Sequence, residues 1–289
     1  MFRFVACVCL ISLAAASPPV SRSREDIEAF KNFLETKKTD SFVILKPVKS
    51  NGKFEGDILL DDFMAENILD SYAQGHHAYI WPNTRWPQNT VIWEFADGYF
   101  NDEQKAAVVA GIKEIENRTC VRFRKRVDET AFVSVTGDPR GCFAHVGFWA
   151  PRGVHTYNLA PNVPGTGCFR HTTIIHEWLH IIGFFHMHST YNRDEYVKVA
   201  WDNIREGTEH NFRVHGADMV SNLGLPYEYI SNMHYHAFAF TINGLPTLVE
   251  FEGVMGQQQF VTDMDYLRVN RHYNCSQESS FFFNETNHF

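Results

Sequence analysis

Residues 4–16 form an apolar run interrupted only by Ser12, and a polar, charge-rich stretch follows from Pro18 to about Gln74. Within that stretch, residues 21–26 predict the start of a short helix reaching toward Lys38, and an acidic, apolar run covers 61–68. Regular patterning begins later. Val, Ile and Trp enrichment over 90–95 predicts a strand. Asn101-Asp102-Glu103-Gln104 has capping-box character. The helix it opens is expected to run to about Asn117, with Ala107, Ala110, Ile112 and Ile115 on its apolar face. Short strands are expected around 121–126, 132–135 and 142–146. A Gly- and Pro-rich loop at 160–167 then leads to a second helix through residues 176–180. Patterning loosens after Asp194 until 262–272, where Met264, Leu267 and Tyr273 predict a closing amphipathic helix. Strand, helix, strands and helix in that order point to an α+β fold.

Composition narrows the setting. Over 289 residues, 44% apolar and 21% charged side chains suit a chain able to bury a core. The formal charge of −8 gives no electrostatic reason to expect nucleic-acid binding, and no apolar run is long enough to cross a bilayer. Arg3, the apolar run and Ala14-Ala15-Ala16 have the order of a secretory signal peptide, assigned to 1–17. Cys7 and Cys9 leave with it. Cys120, Cys142, Cys168 and Cys275 remain, enough for two disulfides in an oxidising compartment, with three possible pairings. Sequons at Asn117 and Asn284 agree with a secreted glycoprotein.

Candidate chemistry concentrates in His176-Glu177-Trp178-Leu179-His180-Ile181-Ile182-Gly183-Phe184-Phe185-His186. Histidines four apart on a helix share a face, so His176 and His180 can reach one metal. Gly183 permits a sharp exit from the helix that can bring His186 back as a third nitrogen. Three histidines with an open fourth position make a catalytic rather than a structural zinc site, and Glu177 stands beside that position. A bare H-E-x-x-H is weak in a chain with 15 histidines; the glycine and third histidine make it specific.

Together with Ser231-Asn232-Met233-His234-Tyr235, this stretch resembles the metzincins and, within them, the astacins. The resemblance extends through Arg193-Asp194, Trp201-Asp202-Asn203-Ile204, Glu209-His210-Asn211-Phe212 and Tyr273-Asn274-Cys275, covering nearly all of 78–275. It implies a two-lobed zincin-like catalytic domain. The N-terminal lobe would carry a twisted mixed sheet and two long helices, and the C-terminal lobe would be mostly irregular with a terminal helix. It also implies one catalytic Zn2+ on His176, His180 and His186, a methionine turn at Met233, and Tyr235 as an added ligand or transition-state donor. Cysteine pairing by the same resemblance is Cys120–Cys275 and Cys142–Cys168. Phe54-Glu55-Gly56-Asp57 matches the family's F-x-G-D, in which the aspartate blocks the metal, so 18–77 is expected to be a propeptide and Asp57 its latency ligand.

The expected reaction is hydrolysis of protein or peptide substrates. Water at the metal attacks the carbonyl, Glu177 takes the proton and passes it to the departing amine, and Tyr235 stabilises the oxyanion. A monomer is expected, with 276–289 as a tail. His145, His171 and His188 are read as surface or supporting histidines. Three positions depart from the family: Met187 replaces a glutamate that holds the mature N-terminus, Thr190 an arginine, and Asn192 an aspartate. No lysine or arginine lies between Lys53 and Arg85, so a trypsin-like activator has nothing to cut near 74–78. Maturation is therefore expected to be unconventional. The rival reading is a catalytically silent astacin fold that binds peptides or a protein surface.

Overall fold

The computed structural model describes residues 53–74, 84–217, 219–250 and 254–276, with helical positions at 24–25, 27–29 and 31–32. The signal segment, the sequon at Asn284 and the tail beyond 276 lie outside the described residues. Among the described residues no helix is long and apolar enough to cross a membrane.

Strands β1 (Ile58–Leu59), β2 (Thr90–Phe95), β3 (Arg122–Lys125), β4 (Phe132–Thr136), β5 (Phe143–His145) and β6 (Val154–Asn158) form one sheet. Its order is β1-β5-β6-β4-β2-β3, and all neighbours are parallel except β5 and β6. Parallel neighbours need a crossover. Helix α2 (Asp102–Arg118) supplies the one between β2 and β3. Asn101 and Gln104 cap it reciprocally, as the sequence predicts. Helix α3 (His171–Ile181) carries the histidine motif, and α4 (Asp263–His272) closes the chain behind its Thr262 cap. Between them the chain is mostly short turns, with one small antiparallel pair, β7 (Val197–Val199) and β8 (Leu248–Glu250).

The main core lies between the sheet and α2 with α3. Trp178 is fully buried there, stacked on Tyr157 at 4.2 Å and met edge-on by Phe123 and Trp93. Gly111 lets α2 and α3 approach, since a Cβ on it would stand 2.7 Å from Ile174 Cγ2. Two disulfides, Cys120–Cys275 and Cys142–Cys168, tie the ends of this region and the cleft wall.

Residues 53–74 build no core of their own. Phe54, Ile58, Leu60, Met64 and Ile68 pack instead on Val146, Phe185, Met219 and Val220. Helix α1 (Asp62–Gln74) begins behind Asp61, whose Oδ1 accepts from Met64 N at 2.8 Å and whose Oδ2 pairs with Arg152.

Strand β6 escaped the sequence pattern for a physical reason. Two of its buried side chains, His155 and Asn158, are polar and satisfied by hydrogen bonds rather than by apolar contact. Hydrophobic alternation is silent at such positions.

Candidate metal and catalytic centre

Helix α3 ends on the glycine, and its ending sets the geometry that follows. Gly183 has φ 112, Gly183 N donates to His180 O at 2.8 Å, and Phe184 N donates to Leu179 O at 3.0 Å. That is a Schellman closure, which needs the left-handed residue an L side chain resists. Trp86 Nε1 and Tyr273 OH donate to the last carbonyls, Ile181 O and Ile182 O. The chain then doubles back, and Met187 N on Met233 O at 2.7 Å holds His186 against the helix.

The structure brings His176, His180, His186 and Asp57 together, with one donor atom of each within 4.8 Å of the others. The Asp57 carboxylate stands 3.2 Å from His176 Nε2 and 3.4 Å from each of His180 Nε2 and His186 Nε2. His180 Nε2 and Asp57 Oδ1 are buried without a hydrogen-bond partner. On the far side each imidazole is held by its Nδ1. His176 Nδ1 faces Asn232 O at 2.8 Å, His180 Nδ1 faces Phe184 O at 2.7 Å, and His186 Nδ1 faces Glu55 Oε2 at 2.9 Å. Bonding at Nδ1 fixes the tautomer that turns the Nε2 lone pair inward. Three inward imidazole nitrogens, one carboxylate and orphaned inward atoms fit a zinc ion.

Electrostatics point the same way. Burial opposes the charge on Asp57, but His186 and His180 outweigh it and hold the carboxyl well below its ordinary range. Burial also opposes charge on Glu55, where His215 and His186 again prevail. These two carboxylates in turn push His186 up to about 10 against its own burial, so the centre draws positive charge. Glu177 is 1% exposed, and its Oε2 has no hydrogen-bond partner among the described residues. Burial, and then the charge on Asp57, push its carboxyl well above the usual range.

Around the cluster lies a cleft of about 560 Å³, lined by Glu177, Asp57, Tyr235, Arg170, Phe240 and the Cys142–Cys168 bridge among others. Tyr235 sits over His186 with ring centroids 4.7 Å apart, and its hydroxyl donates to Glu55 O. Met233 is buried in the main core beside Leu179 and Phe184. His188, read from sequence as a surface or supporting histidine, is fully buried, and its ring stacks on Tyr235 at 3.7 Å. His171 is exposed and pairs with Glu114, while His145 Nδ1 accepts from Thr156 N.

The departures after His186 are accommodated by one another. Thr190 Oγ1 donates to Asn222 Oδ1 at 2.6 Å, and Asn222 Nδ2 donates to Asn192 Oδ1 at 2.9 Å. A neutral hydroxyl–amide chain spans positions where the resemblance implies an arginine and an aspartate. Met187 packs, half-buried, against the core under the second lobe.

Sequence reasoning missed five participants. Asn232 and Phe184 act through backbone carbonyls, which carry no residue signature. Asp265, from α4, accepts from Ser231 Oγ at 2.5 Å and Asn232 N at 2.9 Å, holding the turn whose carbonyl serves His176. Glu55 and His215 join at 2.6 Å across a long sequence gap. Of that pair, only Glu55 had a nearby signal, its place inside Phe54-Glu55-Gly56-Asp57.

The sequence profile of the Astacin peptidase family matches residues 79–274. Human meprin A subunit beta is 34% identical over 232 residues, which is 79% of this chain and 30% of meprin's length. The chain thus spans under a third of that relative. The low choriolytic enzyme of Oryzias latipes is 30% identical over 278 residues, 92% of this chain and 95% of that protein. Zinc metalloproteinase nas-14 of Caenorhabditis elegans is 32% identical over 280 residues, 92% of this chain and 52% of its own. Among solved structures, high choriolytic enzyme 1, a hatching-enzyme zinc protease from Oryzias latipes, matches with a TM-score of 0.59 at 27% identity. That match covers 66% of this chain and 94% of the other.

Proposed function

The chain belongs to the astacin family of peptidases, and from that premise we propose that it is a secreted zinc-dependent endopeptidase kept latent by its own residues 18–77. One observation carries the reading: a carboxylate from that segment stands within 3.2–3.4 Å of three histidine Nε2 atoms in the cleft. In this reading 78–275 is the catalytic domain, His176, His180 and His186 hold the metal, and Asp57 takes the position that the reaction needs open.

A zinc ion on these residues would supply a Lewis acid for a peptide carbonyl and lower the pKa of water toward 7. The chain's own groups do the rest. Glu177 accepts a proton at its carboxylate and delivers it to the departing amine; a buried carboxylate with an unpartnered oxygen is suited to holding it. Tyr235, once its hydroxyl no longer donates to Glu55 O, donates to the oxygen that gains charge. Substrate backbone needs an edge to pair with, and the β5 edge is taken by Ile58 and Leu59, with Ala144 N bonded to Asp57 O at 2.9 Å. Departure of one segment therefore frees both the metal position and the edge.

Removal of the residues preceding about 78 should yield a protein that cleaves denatured protein substrates. A chelator should abolish that cleavage and added zinc restore it. Glu177→Ala should lower kcat at least roughly a thousandfold while the protein still binds one zinc. Equal inertness of the trimmed wild type and Glu177→Ala would sink the reading. N-terminal sequencing of the secreted form tests the unconventional maturation, which a discrete terminus made by trypsin and docked in the fold would contradict.

A further inference from the structure

His186 is held from both sides by the same short turn. Its Nε2 faces Asp57 at 3.4 Å, and its Nδ1 faces Glu55 Oε2 at 2.9 Å. The other oxygen of Glu55 lies 2.6 Å from His215 Nε2. Nothing in the cluster requires His215. Its ring sits between Phe54 and Phe185, at centroid distances of 5.9 and 4.6 Å, and its own amide donates to Ser189 O at 2.8 Å.

We propose that Glu55 and His215 form a second latch, which holds the inhibitory segment in the cleft without drawing on the metal. The inference rests on residues 18–77 being that segment, and three observations support it.

The outer partners of His176 and His180 are carbonyls of Asn232 and Phe184, which belong to the region matched by the family profile. The outer partner of His186 belongs to the segment that is to leave. The three imidazoles are thus supported unequally.

Asp57 is faced by three cluster histidines, so its side chain grips only the cluster itself, directly or through a cation bound there. Glu55 instead meets a histidine that lies outside the cluster. Its carboxylate is 1% exposed and accepts three N–H bonds, from the His186 amide, His186 Nδ1 and His215 Nε2, and charge-assisted bonds of this kind strengthen in a dry setting. Withdrawing it would leave the buried His215 Nε2 without its acceptor.

The backbone is arranged to deliver the side chain. Glu55 has φ 46 and Gly56 has φ 82, two consecutive left-handed residues inside a turn closed by Phe54 N to Ile58 O and Ile58 N to Phe54 O. A glutamate in that conformation persists where its surroundings fix it. Here its carboxylate is fixed by His186 and His215, and its carbonyl by the hydroxyl of Tyr235. A side chain at Gly56 would be strained by the positive φ and would press on Phe240, its Cβ standing 2.7 Å from Phe240 Cζ.

Hydrogen exchange on the full-length chain, before and after treatment with EDTA, tests the latch. The reporter is the Ala144 amide, which is bonded to Asp57 O across the docking interface. Wild-type protein stripped of metal should keep that amide protected. Stripped Glu55→Ala and His215→Ala should exchange it at least roughly tenfold faster, and the double variant no faster than Glu55→Ala. Stripped Asp57→Ala should exchange it more slowly than stripped Glu55→Ala does. Release of the wild type by EDTA as complete as in Glu55→Ala would overturn the proposal, as would a His215→Ala variant without effect. The amides of Val133 and Val135, deep in the sheet, report folding. If they also exchange faster, Glu55→Gln and His215→Gln replace the alanine variants under the same criteria. Activity does not enter the readout. A trimmed chain that cleaves nothing overturns the proposed reaction and leaves the latch standing, and an unlatched exchange pattern does the reverse.

Discussion

Neutral His155 uses both ring nitrogens: Nδ1 donates to Gly153 O at 3.1 Å, and Nε2 accepts from Trp149 N at 3.0 Å. Its ring stacks on Phe148 and leans on Trp86. Burial, then the charge of Arg152, lowers its pKa to about 3. The sign follows directly. Above the unfolded value near 6.5 both states hold a neutral ring and nothing is lost; below it the unfolded chain gains a proton that the folded one refuses. Stability should therefore fall by up to about 1.4 kcal/mol per pH unit from this group between roughly pH 6.5 and 3. Urea midpoints at successive pH values should show a shallower slope in His155→Leu than in wild type; parallel slopes would refute the assignment. Legibility at this scale divides by chemistry. His176, Glu177 and His180 were readable because a helix fixes their spacing, and His186 because Gly183 marks the turn that returns it. His155 was not, since a lone histidine in a strand gives no sign that the fold has buried it between two hydrogen bonds.

Helix α4 was predicted as a closing element, and its apolar positions said nothing about what it holds. Asp265 is 3% exposed and accepts from Ser231 Oγ, Asn232 N and Thr262 N. One side chain thus caps its own helix and clamps the turn that carries Met233 and the carbonyl partner of His176. Asp265→Asn keeps the shape but turns one accepting oxygen into a donor, facing groups that also donate. It should weaken zinc affinity by roughly tenfold, the scale of an outer-partner loss, measured by competition with a chromophoric chelator. Unchanged affinity would detach the turn from the metal site. The crossing of α2 and α3 makes a second demand on an element. Gly111→Val would place its Cβ 2.7 Å from Ile174 Cγ2 and add methyls beyond it. Overpacking of that kind costs about 1–3 kcal/mol, although glycine is the poorer helix former by about 1 kcal/mol relative to alanine. A denaturation midpoint equal to or above wild type would show that the helices can part. The sequence pattern carries no sign of this role for Gly111, because its reason lies on the other helix.

At the scale of the whole molecule, chain direction and covalent closure matter more than any single contact. Strand β1 is two residues long, too short for any pattern, yet it decides which edge of the sheet is open. Its partner lies far along the chain, so only the assembled sheet gives it meaning. The disulfides make the same point quantitatively. Cys120 and Cys275 are 155 residues apart, and their bridge joins the end of α2 to the residues after α4; Cys142 and Cys168 are 26 apart across the cleft wall. If a bridge acts by restricting the unfolded chain, the long loop contributes about 5 kcal/mol and the short one about 3.5 kcal/mol. Cys120→Ser/Cys275→Ser should then lower the urea midpoint of the full-length protein further than Cys142→Ser/Cys168→Ser does. The activity of the trimmed form should show the opposite ranking, because Cys142 and Cys168 line the cleft and Cys120 and Cys275 do not. Loss of the short bridge should raise KM as well as lower the midpoint, whereas loss of the long bridge should lower the midpoint further and leave KM unchanged while the chain remains folded. An equal or reversed order of midpoints would mean that native packing around Cys142 and Cys168, rather than loop closure, sets their contribution.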